Sequence, residues 1–152
     1  PTAERHGRGV ACNAYFGHTY IAYVAEVAVD KEGNVRVERV VAAVDCGRVI
    51  NPVGVEQQME GGIIWGISSA LKGEITFRDG AAQQSTYTDF EVARMRDTPA
   101  IEVHIINGDA SEPFGMGEPP VPPIVPAITN AVFAATGKRV RQLPIRPALL
   151  LS

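Results

Sequence analysis

Two cysteines, Cys12 and Cys46, are all that the 152 residues contain. They lie far apart and form no Cys-x-x-Cys or Cys/His spacing, which argues against a disulfide framework or a zinc site. Both read as small buried residues. Charge of either sign is sparse: 14 Lys and Arg stand against 17 Asp and Glu, for a net charge of −3. Apart from Lys138-Arg139-Val140-Arg141 the basic residues are scattered, so the chain carries no nucleic-acid footprint. No apolar run approaches the ~20 residues that a membrane-spanning helix needs. A glycine-rich phosphate loop with its lysine is also missing. The opening Pro1-Thr2-Ala3-Glu4-Arg5-His6 is polar and lacks an initiator Met. The chain therefore reads as a piece of something longer. Any export signal would lie upstream of Pro1, leaving cytoplasmic and periplasmic localisation equally open.

What remains is an ordinary globular composition, 45% apolar and 20% charged, in a length that suits one domain. Arg8 to Phe16 and Thr19 to Val29 are rich in Val, Ala, Tyr and Ile and predict strands. Asp30-Lys31-Glu32-Gly33-Asn34 predicts a tight connection, with Gly33 at a positive φ. Val35 to Val44 predicts a third strand whose second half is buried on both faces. From Val55 to Leu71 the residues Val55, Met59, Ile63, Ile67 and Leu71 recur every fourth position, a helical stripe. Gly61, Gly62 and Gly66 interrupt it, each costing ~1 kcal/mol relative to Ala. Either close packing against the sheet or approach of a ligand to the backbone could justify them.

Gly73 to Phe77 and Ala81 to Thr86 predict a second hairpin, and Tyr87 to Thr98 a long polar loop. Ile101 to Ile106 alternates as a half-exposed strand. A helix over Pro122–Thr136 is expected, with prolines in its first turn and Gly137 as C-cap. Val140 to Ile145 predicts a short last strand. Strands and helices are mixed rather than alternating, so the expected class is α+β, a mixed sheet with two main helices.

The segment Phe114-Gly115-Met116-Gly117-Glu118-Pro119-Pro120 places one carboxylate between a flexible Gly-x-Gly and rigid prolines, just before a helix. Buried against a ligand, Glu118 would be pushed up by desolvation and pulled down by the helix dipole, which reads as a general base; otherwise it is an ordinary helix-capping glutamate. Residue chemistry alone favours the cap. Gln57 and Gln58 could read the donor–acceptor edge of a heterocycle, or simply face solvent. Asp45 and Glu60 are candidate structural hydrogen-bonders at the helix entrance. Asp89 could line a channel or cap a turn. His6, His18 and His104 share no metal-like spacing and read as surface residues. No metal ligand is expected from this chain.

Three motifs in order shift that balance. Val44-Asp45-Cys46-Gly47-Arg48-Val49-Ile50-Asn51-Pro52, then Gln58-Met59-Glu60-Gly61-Gly62 with Gly66, then Gly115-Met116-Gly117-Glu118-Pro119-Pro120 resemble the xanthine dehydrogenase/aldehyde oxidase family. The nearest likeness is to the C-terminal end of bacterial molybdopterin-binding large subunits of the isoquinoline 1-oxidoreductase beta type. Pro126 to Ala131 and Ala135-Thr136-Gly137-Lys138-Arg139 fit that subgroup, as do Ile101 to Ile105 and Leu143-Pro144-Ile145.

The resemblance covers nearly the whole chain from Gly7 onward. It implies that residues 1–152 are a single C-terminal subdomain of a larger subunit. It also implies that Glu118 is the catalytic base beside molybdenum and that Gln58 hydrogen-bonds the pterin. Gly61, Gly62, Gly115 and Gly117 would border the cofactor. The implied cofactor is a molybdenum–pterin, in the molybdopterin cytosine dinucleotide form. The implied substrate is an N-heteroaromatic or an aldehyde, oxidised with water as oxygen source. The implied partners are the rest of the large subunit and a small 2Fe-2S subunit that takes the electrons. Trp65 stands where some relatives carry Gln. Since most cofactor-binding segments of such subunits lie upstream, the piece itself is expected to hold no cofactor and to be inactive. The alternative is a non-catalytic scaffold or subunit-interface module.

Overall fold

The computed structural model describes residues 4–106 and 112–151. Three long strands form an antiparallel meander: β1 (Arg5–Tyr15), β2 (Thr19–Val29) and β3 (Val35–Asp45). After β3 the chain enters α1 (Pro52–Leu71), a two-residue hairpin β4 (Phe77–Arg78) and β5 (Ala81–Ala82), and a 3₁₀ turn at Met95–Asp97. It then returns as β6 (Ala100–Ile105), parallel to β3, giving the order β1-β2-β3-β6. That single parallel pair makes the sheet mixed, in line with the expected α+β class. A second helix, α2 (Val121–Thr136), and a short terminal helix, α3 (Ala148–Leu151), complete the chain.

Both long helices cover one face of the sheet. β2 shows why: Ile21, Tyr23, Ala25, Val27 and Val29 alternate inward and are buried. They meet Ile124, Ala127, Ile128 and Ala131 of α2 and Met59, Ile63 and Ile67 of α1, all buried. Each such large apolar side chain contributes about 1.5–3 kcal/mol when fully buried. α2 lies almost in backbone contact with β1, because a side chain on Gly9 would come within 2.2 Å of the Ala127 carbonyl oxygen. Helix also meets helix: a Cβ at Gly62 would sit 2.4 Å from the Pro120 Cβ, and one at Gly66 1.9 Å from the Ile124 Cγ2. Close packing therefore accounts for Gly62 and Gly66, though against α2 rather than the sheet.

The caps follow local chemistry. Asn51 Oδ1 accepts the Gly54 amide 3.2 Å away, and Pro52 opens α1 where a missing N–H costs least. Gly137 ends α2 in the left-handed region at φ 74°, as expected. Gly33 likewise has φ 83°.

Several expectations need correction. Val140–Ile145 is not a strand; the Ile145 amide donates to the Ala70 carbonyl at the end of α1, 2.7 Å away, and not to a sheet edge. The second hairpin shrinks to two residues on each side of the Asp79-Gly80 turn. The second half of β3 is buried on one face only, since Val41 and Ala43 point to the uncovered side and stay half-exposed. Cys12 points the same way and is exposed, whereas Cys46 is buried.

Candidate active site

The loop before α2 is fixed from three directions. The first hold comes from Asp45-Cys46-Gly47, directly after β3. The Cys46 carbonyl accepts the Phe114 amide at 3.0 Å, and the Arg48 amide donates to the Glu112 carbonyl at 2.9 Å. Gly47, at φ 74°, forms an isolated bridge with Pro113. A Cβ there would lie 2.3 Å from the Glu112 oxygen. Asp45 Oδ1 accepts the Gly47 amide at 3.0 Å and closes the turn. Burial, and then the neighbouring Asp45 carboxylate, push the Cys46 thiol up, so it stays a neutral packing group.

A second hold comes from the core. Tyr23 is fully buried on β2 and donates its hydroxyl to the Pro120 carbonyl at 2.9 Å. The third is the tip of the β1–β2 hairpin, where Tyr15 and Thr19 are directly paired. Thr19 Oγ1 donates to the Gly115 carbonyl at 3.5 Å, and the Tyr15 hydroxyl donates to Glu118 Oε2. The carboxylate as acceptor, with smaller contributions from desolvation and charge repulsion, holds the Tyr15 phenol above its usual range.

Between these holds lies an open cleft of about 310 Å³ lined by Tyr15, Phe16, His18, Phe114, Gly117 and Glu118, among others. His18 and Phe114 stack across it, with ring centroids 4.8 Å apart and planes inclined by 17°. Glu118 is exposed to this cleft. It does not cap α2: Pro120 is the N-cap residue, no side chain caps that end, and only the Glu118 main-chain carbonyl accepts from Val121. The helix-capping alternative therefore falls.

Gly115 and Gly117 are exposed, have no positive φ, and a Cβ on either would meet nothing within 4 Å. Among the described residues, neither turn geometry nor packing demands a glycine there. Gly61 is equally open, unlike its buried neighbour Gly62. Gln58 lies one helical turn before Gly62, on the side of α1 that meets the start of α2. It is exposed and makes no hydrogen bond among the described residues. Gln57, Glu60 and Trp65 are exposed along the same helix. Trp65 borders a separate apolar groove of about 380 Å³ with Ile64, Tyr87 and Phe90.

Asp89 resolves as a turn cap. Its carboxylate accepts the Thr86 amide and then the Ser85 amide, which draw it below the usual carboxylate range. His6 and His104 pair with Glu38 and Glu102 on the uncovered sheet face. Sequence reading does not single out Tyr15, Thr19 or the His18–Phe114 stack. Nothing local marks them, because their partners lie about a hundred positions away in the chain.

Residues 3–99 match the molybdopterin cofactor-binding domain family. The chain belongs to that family. Over 147 residues it is 37% identical to one subunit of the nicotinate dehydrogenase of Pseudomonas putida, covering 91% of this chain and 12% of that protein. Over 142 residues it is 39% identical to the beta subunit of isoquinoline 1-oxidoreductase of Brevundimonas diminuta, covering 93% and 18%. Its fold resembles quinoline 2-oxidoreductase from Pseudomonas putida 86, with a TM-score of 0.79 and 28% identity over 86% of this chain and 18% of that one. The chain thus spans 12% and 18% of the length of those two sequence relatives. Within the matched span of this molybdopterin cofactor-binding domain lie β1–β3, α1 and the Asp45–Gly47 turn. The Glu118 loop and α2 lie beyond it.

Proposed function

We propose that this chain is the C-terminal part of the cofactor-binding large subunit of a molybdenum hydroxylase. In this reading the enzyme oxidises an N-heteroaromatic or aldehyde substrate with water as oxygen source, and Glu118 is the general base. One observation carries it: an exposed carboxylate, held by Tyr15 and free of any capping role, faces a cleft beside two glycines that packing among the described residues does not require. The relatives named for nicotinate, isoquinoline and quinoline substrates support the heteroaromatic class.

The donor set fits a pterin. Gln58 offers an amide, unpartnered among the described residues, that can donate and accept at once, and Gly61, Gly115 and Gly117 leave main chain open to a flat polar group. A bound molybdenum–pterin cofactor, as its cytosine dinucleotide, supplies the redox and oxygen-transfer chemistry. Gln58 orients it, while the Gly115 and Gly117 backbones allow close approach. Glu118 takes up the proton released as the oxygen–carbon bond forms. A small 2Fe-2S subunit would be the partner that takes the electrons. Gly62, occupied by Pro120, serves the cofactor only indirectly, by keeping α1 and the Glu118 loop together.

Glu118→Gln in the full complex tests the base. The isosteric amide keeps the shape and cannot take the proton, so kcat should fall about 10²–10⁴-fold with molybdenum content unchanged. An unaltered rate would instead favour a non-catalytic scaffold or interface module. The cleft of the 152-residue chain is open to water, and in this reading enclosing a cofactor falls to the rest of the subunit. The chain alone should purify without molybdenum and without dye-linked oxidation of heteroaromatics; metal found by elemental analysis would contradict that.

A further inference from the structure

Glu118 sits on a loop, and loops alone do not aim a carboxylate. The hairpin tip opposite it is built to grip. Its last strand pair, Tyr15 and Thr19, reaches the loop at two points, the Glu118 carboxylate and the Gly115 carbonyl. The tip turns through Phe16 at φ 49° and Gly17 at φ 73°. A left-handed Phe is disfavoured, and such strain persists only where surrounding contacts over-determine it. Here the Phe16 ring stands edge-on to Tyr15, with centroids 4.6 Å apart and planes at 79°, and flanks the tyrosine side chain.

We propose that Tyr15 is the positioning residue for Glu118. Its hydroxyl occupies Oε2 and leaves Oε1, which has no partner among the described residues, as the oxygen that takes up the proton. The inference rests on the reading of Glu118 as general base. A phenol is protonated across the neutral range and the carboxylate raises it further, so the donor persists under working conditions. Tyr15→Phe removes only that hydroxyl; the ring contact with Phe16 and the strand pairing stay, so the fold should survive.

Two readouts test this. The first needs no cofactor. A phenol donating to a carboxylate absorbs at longer wavelength than one donating to water, so Glu118→Ala should shift the near-ultraviolet tyrosine band of the chain to shorter wavelength. The same change in a Tyr15→Phe background should shift nothing. The second uses the molybdenum-loaded complex. Tyr15→Phe should lower kcat about 10- to 100-fold with KM and molybdenum content little changed, as expected for a misaimed base.

Identical tyrosine bands with and without Glu118 would overturn the contact. A large loss in Glu118→Gln beside a wild-type kcat in Tyr15→Phe would overturn the positioning role alone. A rate unaffected by Glu118→Gln would overturn the general-base reading and the positioning role with it, while the tyrosine band would still report the contact.

Discussion

Tyr23 shows how one side chain links core and site. Its ring is fully buried among apolar residues, and its hydroxyl reaches the Pro120 carbonyl, two residues after Glu118. Tyr23→Phe keeps the packing and removes one of two hydrogen bonds on that carbonyl, which as the N-cap carbonyl of α2 also accepts the first intrahelical bond. Denaturant unfolding should show a loss of about 0.5–1.5 kcal/mol. The same residue sets an alkaline limit. Burial raises the folded-state phenol well above the ~10 of an exposed tyrosine. The folded chain therefore holds this proton more tightly than the unfolded chain does. The resulting stability is complete below pH ~10 and is lost as pH rises past it, with a slope approaching about 1.4 kcal/mol per pH unit. Unfolding free energies measured from about pH 8 to 11 should show that downturn in the native chain and a weaker one in Tyr23→Phe. Equal downturns would mean that other groups cause it.

At the scale of elements, adjacent glycines on α1 separate packing from ligand approach. Gly61 has open space around its missing Cβ, whereas Gly62 abuts the Pro120 ring. Gly61→Ala should stabilise the chain by about 0.5–1 kcal/mol through helix propensity alone. Gly62→Ala should destabilise it by about 1–3 kcal/mol, because a proline ring cannot rotate away. Urea midpoints of the two variants should therefore move in opposite directions. If both rise, α2 does not press on α1 as described. Sequence reading can recognise three glycines in a helix but cannot sort them, since Pro120 is brought to Gly62 only by the fold.

The same divide governs the rest of what is legible. β1–β3, α1, β6 and α2 each carry a periodic apolar pattern or a cap, signals confined to a few neighbouring residues. Val140–Ile145 misleads because burial of Ile145 looks alike whether the residue lies in a strand or, as here, against the end of α1. Glu118 is visible from its Gly-x-Gly setting and its family likeness. Its Tyr15 partner is not, because nothing within one element records a contact between a hairpin tip and the loop before α2.

For the molecule as a whole, both long helices lie on one face of the sheet, and the other face, among the described residues, divides in two. Toward one end, charges step across the strands. Arg8 pairs with Glu26 at 2.7 Å, Glu26 with Arg39 at 3.6 Å, Arg39 with Glu102 at 2.6 Å, and Glu102 with His104 at 2.8 Å. Arg39, followed by His104, draws the Glu102 carboxyl below its usual range. Such exposed pairs add little net stability and fade in salt, but they keep that end hydrated.

The other end, beside the Glu118 cleft, is apolar. Val10, Tyr20 and Ile106 are 59%, 50% and 53% exposed around Cys12, Ala14, Ala22 and Ala43. A contiguous patch of this kind is unfavourable in water. The isolated chain should therefore self-associate, with sedimentation showing an apparent mass that climbs with concentration above 16.3 kDa. Salt should increase the effect, because it screens the charged end while leaving apolar attraction intact. Val10→Lys combined with Tyr20→Lys should return the chain to a monomer, whereas Arg39→Gln should not. A chain that stays monomeric at all concentrations and salt levels would show that the apolar end is too small to drive association.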